Sequence, residues 1–445
     1  MTATGSSTKN SIVAMVVIKR NCKDVDINVR HSISLSGNDR HQMEVLRNLV
    51  IRLNRLKNQY IVQNDLISAG IIGRYVIVTM DRYNLVSTVV CAQPILYNGD
   101  RYRFDSPLLQ NGMLAASYRF RNRDQLQQLI DGLQIPEYLV NPADRCSYHR
   151  EELILIVLER CALGARLLDL QNKYRRNHAA IGKAISFFCA WMQEHWGYLL
   201  HDHLNFWQPY LKESRDAIVI KLRDFYHDRE LDIDDDTFRV TSFVDCVIIG
   251  TCRPGGGPME AGPNARRFPE HVQRAFYNKW AKKHGLKKQS CCLANGMALD
   301  IGTGFSCRRN DLHLLRESDL NHRMSVLTAD KPPSEQFQLY GDSAYVVMDN
   351  ITCAADIDAF GDIRAGMNSC RESIEWMYRD LKVMWAITSS KYKLKLLNEF
   401  IYTDNVVDTC FIFSNALNCM NGNETSQFFK TKPPSFATYT SLGPR

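Results

Sequence analysis

The sequence has no run of the roughly 18 apolar residues that a helix needs to span a bilayer. This excludes a membrane-spanning protein of the helical type. The segment 12–18 is apolar but short, and Lys19 and Arg20 follow it without a small-residue cleavage site. That pattern does not fit a signal peptide. We therefore expect a protein without membrane contact, in which this segment forms a buried strand.

The sequence also has no Cys-x-x-Cys pair, although it contains 14 cysteines. The cysteines are scattered among apolar neighbours, as at positions 188–190, and not clustered in a short framework. This usage indicates reduced, buried thiols in an intracellular protein and excludes a disulfide scaffold. No internal repeat or long low-complexity tract is present. With 445 residues, 45% of them hydrophobic and 23% charged, the chain predicts about two to four globular domains.

Positive charge is in slight excess, with a net charge of +7, and its distribution matters more than its sum. The segment 264–288 carries eight basic side chains against the single acid Glu270, with four aromatic residues interleaved. The basic residues are Arg266, Arg267, Arg274, Lys279, Lys282, Lys283, Lys287 and Lys288; the aromatic residues are Phe268, Phe276, Tyr277 and Trp280. Such a segment can contact phosphates and stack on unpaired bases. The alternative is a solvated loop whose aromatic side chains dock on the core.

The first part of the chain gives no indication of function. Residues 41–60 predict an amphipathic helix, and residues 74–80 and 86–92 predict two short strands. We divide the chain into residues 1–116, an extension of unknown role; 117–239, a helical region; 240–429, an α/β domain; and 430–445, a C-terminal tail.

Three helices are predicted over residues 151–163, 166–174 and 179–196, with a short polar turn before the last. Their spacing resembles a helix-turn-helix module, whose last helix enters the major groove of DNA. In that interpretation Arg175, Arg176, His178 and Lys183 would face phosphates or base edges. Trihelical packing without DNA binding, including a dimerisation element, is an equal alternative.

From residue 238 the pattern changes to strands. Strands are predicted at 238–250, 286–294, 297–305 and 336–347, with the hairpin turn Asn295-Gly296 between the second and third. Helices are predicted at 310–320 and 366–388. The order strand, strand, strand, helix, strand, helix indicates an α/β domain with a ribonuclease H-like mixed sheet flanked by helices.

Three carboxylates in this region suit a divalent metal site. Asp245 and Asp342 lie at strand ends, and Glu375 lies on the long helix. Two cations held about 3.5–4 Å apart can activate an attacking oxygen and stabilise a leaving oxygen in phosphoryl transfer. Magnesium is usually held by only one or two carboxylates, so three are sufficient. The ordinary alternatives are a strand-boundary aspartate for Asp245 and an Asx turn for Asp342.

Glu375 shares a helix face with three cations, Arg371, Arg379 and Lys382, spaced by four, four and three residues. The alternative to a metal ligand among phosphate-binding cations is an exposed row of ion pairs, which contributes little stability. Asp311 is a further acid near the predicted sheet. We expect it to cap the helix that follows it.

Five segments, in order and spacing, resemble the DDE transposases of the PIF/Harbinger type and the nucleases derived from them. They are FVDCVIIGTCRPGG, QRAFYNKWAKKHGLKKQ, CRRNDLHLLRESDL, LYGDSAY and RESIEWMYRDLK, and the wider resemblance covers roughly residues 117–429. The resemblance implies that Asp245, Asp342 and Glu375 form the catalytic, metal-binding triad, with Arg371 as the family's arginine. Two departures occur: Asn310 replaces the usual histidine before Asp311, and Cys246 replaces the glycine after Asp245.

The resemblance implies a nuclear enzyme that cuts or transfers DNA strands with Mg²⁺ or Mn²⁺, two ions in all, and a Myb-like DNA-binding partner. Arg371, Arg379, Lys282 and Lys283 would then position DNA phosphates. A homo-oligomer is compatible with this picture. The alternative is a domesticated, catalytically silent DNA-binding or adaptor protein that keeps the fold, which the departures at Asn310 and Cys246 favour mildly.

Overall fold

The computed structural model describes residues 102–106, 109, 111–141, 146–227, 233, 237–253, 270–332, 335–356, 360–389, 394 and 400–445. The predictions for segments 12–18, 41–60, 74–80 and 86–92 lie outside the described residues. Residues 264–269 of the basic, aromatic segment also lie outside them.

Helices fill the first half of the described chain. They are α1 (Asn111–Tyr118), α2 (Arg123–Gly132), α3 (Arg150–Leu163), α4 (Leu167–Tyr174), α5 (His178–Trp196), α6 (Tyr198–His201) and α7 (Leu204–Phe225), with the short strands β1 (Tyr138–Val140) and β2 (Ser147–His149) paired before α3. Helix α3 is buried along most of its length, which explains its nearly continuous apolar sequence. Its one deeply buried acid near the N-terminus, Glu152, is paired with Arg176.

The second half forms a mixed sheet flanked by helices. Its strands are β3 (Val240–Gly250), β4 (Tyr277–Asn278), β5 (Lys283–Leu293), β6 (Ala298–Ile301), β7 (Phe305–Ser306), β8 (Gln338–Gly341) and β9 (Ile351–Cys353), with α8 (Glu270–Ala275) before β4. Along the main path the order is β4-β5-β3-β8-β9, and β6 and β7 pair with β5. The pairs β3–β8 and β8–β9 are parallel and the others antiparallel. The mixed sheet agrees with the predicted ribonuclease H-like arrangement.

The hairpin predicted at Asn295-Gly296 is confirmed. Strand β5 ends at Leu293, β6 begins at Ala298, and the two strands pair antiparallel. Gly296 has a φ of +76°, which a residue with a side chain rarely adopts. The predicted strand at 336–347 is shorter than expected, because the chain turns after Gly341, and β9 was not predicted at all.

The remaining helices pack around this sheet. They are α9 (Asp311–Glu317), α10 (Leu320–Thr328), α11 (Arg364–Met384), a 3₁₀ turn at Ala386–Thr388, α12 (Phe400–Asn421), α13 (Glu424–Phe428) and α14 (Phe436–Tyr439). Helix α12 packs on α5, while α11 packs on β3 and β5. The helical region and the sheet share one continuous hydrophobic core. No helix within the described part of the chain is long and apolar enough to cross a membrane.

The cysteines follow the predicted usage. None of the twelve cysteines in the described ranges forms a disulfide, and most of them are buried.

Candidate active site

Asp245 on β3 and Asp342 just after β8 are brought close by the pairing of these two parallel strands. Phe243 of β3 is paired in register with Tyr340 of β8. Asp245 lies two residues further along β3, and Asp342 lies two residues further along the chain, just past the end of β8 at Gly341. The prediction that Asp245 ends its strand is wrong, since β3 continues to Gly250. Equivalent positions of neighbouring parallel strands lie side by side, so the pairing brings the two carboxylates together, and the charge of Asp342 helps to raise the pKa of Asp245. Gly341 permits the turn that follows, because a Cβ at this position would lie 2.6 Å from the ring of Tyr345. The Asx turn also exists, since Asp342 Oδ1 accepts the Ala344 N–H at 2.9 Å.

The environment of Asp245 disfavours its ionised form. Its side chain is only 19% exposed. Burial raises the pKa of Asp245 to about 6, and the nearby charges of Asp342 and Asp311 act in the same direction. The Cys246 N–H, which donates to Asp245 Oδ1 at 2.7 Å, and the Arg371 guanidinium oppose this shift of the pKa. A cation bound next to Asp245, in addition to Arg371, would therefore be stabilised by this carboxylate and would favour its ionised form.

Helix α11 brings Arg371 and Glu375 to the same edge of the sheet. The helix is anchored where Tyr378 Oη lies 2.6 Å from Ser290 Oγ, and Ser290 is the residue of β5 directly opposite Asp245. Earlier on the helix, Arg371 Nη1 lies 3.6 Å from Asp245 Oδ2 and Arg371 Nη2 lies 3.7 Å from Glu375 Oε1. Glu375 is 59% exposed and is connected to Asp245 through this guanidinium. The apolar stripe predicted for this helix is largely buried, as at Ile374 and Leu381.

The three predicted carboxylates are thus brought to one region but do not form a closed ligand set. Among the described residues, no group of three or more His, Cys, Asp or Glu side chains is arranged so that it could hold a metal ion. Asp245 and Asp342 nevertheless offer the oxygen donors that Mg²⁺ and Mn²⁺ prefer, and two carboxylates are enough for Mg²⁺. The desolvated Asp245 carboxylate also fits a cation. Arg371 supplies the positive charge next to it.

A polar group on the other face of β3 was not predicted from the sequence. Cys246 Sγ lies 3.5 Å from Tyr345 Oη, and Lys287 Nζ lies 2.6 Å from Asp311 Oδ1. The expectation that Asp311 caps α9 is wrong by one residue, since the cap is Asn310, whose Oδ1 accepts the His313 N–H at 2.9 Å. Asp311 is the first residue of α9, and its charge contributes to the raised pKa of Asp245. The alternation of residues on β3 and β5 could have indicated this group.

Some residues of the predicted basic segment are exposed, and others are buried in the core. At the turn between β4 and β5, Trp280 is 91% exposed, Lys282 is exposed and Lys283 is half-buried. Burial lowers the pKa of Lys382 on α11, and the Lys283 charge lowers it further, so these two ammonium groups are neighbours. Lys288, in contrast, is fully buried.

Lys288 belongs to a buried ion cluster. Its Nζ lies 2.6 Å from Asp404 Oδ1 and 2.7 Å from Asp408 Oδ1, both on α12. His201 Nε2 lies 3.7 Å from Asp408 Oδ2. Together with Lys287, which pairs with Asp311, these contacts show that the last two lysines of the predicted basic segment hold the fold together.

The predicted DNA-contacting residues of the helical region have different surroundings. Arg176 makes two hydrogen bonds to Glu152, at 2.8 and 2.6 Å, and its guanidinium lies 4.2 Å from the centre of the Tyr148 ring. The Arg176 guanidinium is therefore already engaged by side chains of its own chain. Arg175 is exposed at the end of α4, and Lys183 is exposed on α5, whose opposite face packs on α12. On α11, Arg379 is paired with Asp380 and Glu424.

A family model described as "DDE superfamily endonuclease" matches residues 263–415. The match covers about a third of the chain; it includes Asp342, Arg371 and Glu375 and begins after Asp245. No curated protein and no solved structure matches the chain. The family match therefore supports the predicted resemblance at the level of the superfamily. It does not distinguish the Harbinger type from other members.

Proposed function

We propose that this chain is a metal-dependent DNA endonuclease of the DDE type, which hydrolyses or transfers DNA phosphodiesters. One observation supports this proposal most strongly. Asp245 on β3 and Asp342 just past the end of the adjacent parallel strand β8 are brought together by the strand register, and Asp342 lies in the segment that is similar to DDE endonucleases. The resemblance to Harbinger-type enzymes, a nuclear location and a Myb-like partner belong to this proposal as its finer parts.

Asp245 and Asp342 are the residues that would hold Mg²⁺ or Mn²⁺, with Glu375 as the third proposed catalytic carboxylate. Bound ions of this kind activate a water or hydroxyl nucleophile and stabilise the leaving oxygen of the phosphodiester. The protein then needs no nucleophile of its own. Arg371, held between Asp245 and Glu375, is placed to contact a phosphate that enters the site.

The DNA is proposed to lie along α11 and the turn between β4 and β5. Lys282, Lys283 and Lys382 supply positive charge there, and Trp280 supplies an exposed aromatic ring. Arg379, Arg175 and Lys183 remain proposed DNA contacts. Arg176 is left out because two of its guanidinium nitrogens donate to Glu152 and the third donates to Ser147 O. Proteins that bind DNA mainly through such cations lose affinity steeply with salt.

A second candidate is a catalytically silent DNA-binding protein that has kept the fold. The observation in its favour is that the Arg371 guanidinium stands between Asp245 and Glu375, where it satisfies their charge without a metal. This candidate predicts salt-sensitive DNA binding and no stabilisation by divalent cations.

The two candidates differ in one assay. Purified protein is incubated with supercoiled plasmid and Mg²⁺ or Mn²⁺, beside the Asp342→Ala variant and a control, Asp349→Ala, which removes an exposed aspartate eight residues after β8. The endonuclease predicts nicking by the wild type and the control and none by Asp342→Ala. Equal nicking by all three proteins contradicts the assignment of Asp342. Absence of nicking throughout, with DNA binding retained, supports the silent protein.

A further inference from the structure

A cavity of about 430 Å³ opens beside the start of helix α9. It is lined by Arg308, Arg309, Asn310, Leu312, His313 and Arg316. Three of these six residues carry a guanidinium group, and none of the described carboxylates lines the cavity. We refer to it as the arginine pocket. Neither the three-carboxylate hypothesis nor the family match gives it a role.

The turn before α9 and one face of the helix together build the arginine pocket. The backbone N–H of Arg309 donates to Ser306 O at 3.0 Å, and the N–H of Arg308 is 3.4 Å from Ser306 Oγ. These bonds fix the turn. On the helix, Leu312 and His313 each have Arg316 as a neighbour, four and three residues later. The His313 ring is held edge-on against Phe305, with ring centroids 5.7 Å apart.

Within the described part of the chain, no acidic side chain pairs with the arginines of the arginine pocket. No ion pair or side-chain hydrogen bond of Arg308, Arg309 or Arg316 occurs among the described residues. The nearest acid in sequence, Asp311, is engaged by Lys287 at 2.6 Å. Clustered like charges repel each other and do not help the fold, whereas a concave basic surface concentrates potential that attracts an anion. Arginine is well suited to phosphate, which it can bind through two parallel hydrogen bonds.

The arginine pocket is connected to β5, the strand that pairs with β3. Asn310 and Asp311 connect the two, because Asn310 lines the pocket and Asp311 contacts Lys287 on β5. The Asp311 charge is close enough to Asp245 to affect its pKa. We therefore expect a DNA backbone that enters the candidate active site to extend to the arginine pocket.

We propose that the arginine pocket binds a backbone phosphate of the DNA substrate, outside the phosphodiester that is cut. This inference rests on the proposed function, since it extends the same substrate beyond the carboxylates. The pocket acts as a positioning site for DNA. It makes no contact with the reacting atoms.

The test measures DNA binding without any divalent cation, so that cleavage is not required. Fluorescence anisotropy with a labelled duplex, from about 50 to 200 mM salt, compares the wild type with Arg308→Gln, Arg309→Gln, Arg316→Gln and the triple variant. Each phosphate contact contributes about 0.9 to the slope of log affinity against log salt. We expect the slope of the triple variant to fall by about one to three. Thermal unfolding of each variant shows that it remains folded.

Arg121→Gln is the matched control, because Arg121 is an exposed arginine outside the pocket. An unchanged slope in the triple variant, or an equal loss in Arg121→Gln, overturns the inference. Competition by polyglutamate that depends on the three arginines, without any change in the DNA slope, would indicate an acidic protein partner and would also overturn it. The proposed function is judged separately by plasmid nicking, so a nuclease with an unchanged slope keeps the function and loses only the pocket.

Discussion

Arg371 lies 3.6 Å from Asp245, so the most desolvated carboxylate of the candidate site has a cation from its own chain beside it. The same guanidinium reaches Glu375, one helical turn away. Arg371 is therefore in a position to compete with a divalent ion for Asp245, and equally to accompany a phosphate into the site. Replacing Arg371 by a neutral residue therefore shows whether its charge weakens or strengthens metal binding at Asp245.

We expect Arg371→Gln to bind Mn²⁺ at least about tenfold more tightly than the wild type at about pH 8. One unit charge at about 4 Å is worth about 4 kcal/mol at an effective dielectric constant of about 20, so its removal should favour a second cation. Isothermal titration calorimetry without DNA provides the measurement. The control is Arg379→Gln on the same helix, whose guanidinium pairs with Glu424 and should leave the affinity unchanged. Weaker binding in Arg371→Gln would mean that Arg371 orients the carboxylates instead.

Asp245→Asn should stabilise the protein at neutral pH. The pKa of Asp245 is about 6 in the folded state, above the ordinary value of 3.8, so the folded state binds its proton more tightly than the unfolded state does. This contribution to stability is present below pH 3.8 and is lost as the pH rises through about 6. The asparagine side chain is neutral throughout, so the variant should gain up to about 3 kcal/mol over the wild type above about pH 6.

Urea unfolding at a series of pH values from about 4 to 7.5 checks this gain. The difference in the free energy of unfolding between Asp245→Asn and the wild type should grow between about pH 4 and 6 and level off above that range. Asp349→Asn, at an exposed position, should change stability by no more than about 0.5 kcal/mol. A variant that is less stable than the wild type at neutral pH would show that Asp245 is better compensated than its burial indicates.

Trp280→Ala should weaken binding to DNA that contains unpaired bases more than binding to fully paired duplex. The ring is almost fully accessible, and its turn is fixed because Asn278 Oδ1 accepts the Ala281 N–H at 2.8 Å. Stacking of a base on an aromatic ring is worth about 1–3 kcal/mol, which corresponds to a loss of affinity of about 5- to 150-fold. Anisotropy with a mismatched or single-stranded probe measures it. Trp280→Phe should keep most of the affinity, and equal losses for both variants and both probes would argue against stacking.

Lys288→Met should cost about 3–5 kcal/mol of stability. The change leaves Asp404 and Asp408 buried without their shared cation, and breaking a buried pair from one side is far more costly than removing an exposed charge. Thermal or urea unfolding checks the loss. Lys279→Met, in the exposed turn after β4, is the control and should be nearly neutral. If the triple variant with Asp404→Asn and Asp408→Asn is no more stable than Lys288→Met alone, unpaired charge is not the cause.

Periodicity was sufficient for most of the core elements. The alternating and apolar runs located β3, β5 and β6, the Asn295-Gly296 turn located their hairpin, and the apolar stripe located α11. Strand β9 was not predicted, because three residues are too few to show an alternation of apolar and polar positions. The parallel pairing of β3 and β8 also explains why Asp245 and Asp342, nearly a hundred positions apart, lie close together.

The finer geometry depended on contacts that no local pattern contains. A basic run looks the same whether its lysines face solvent, as Lys282 does, or are buried between two aspartates of a distant helix, as Lys288 is. Likewise, a four-residue spacing places Arg371 and Glu375 on one face of α11 but does not say that the arginine turns toward Asp245. Tertiary pairing decides both cases.

The strand that carries Asp245 lies at the centre of the sheet, yet it lies upstream of the segment that matches the endonuclease family. An expression fragment trimmed to the limits of that match would lose the middle of its own sheet and expose the open sides of β5 and β8. Fragments for crystallisation or binding work should therefore begin well before residue 240, and their C-terminus should retain the last residues, since Tyr198 Oη donates to Gly443 O at 2.9 Å.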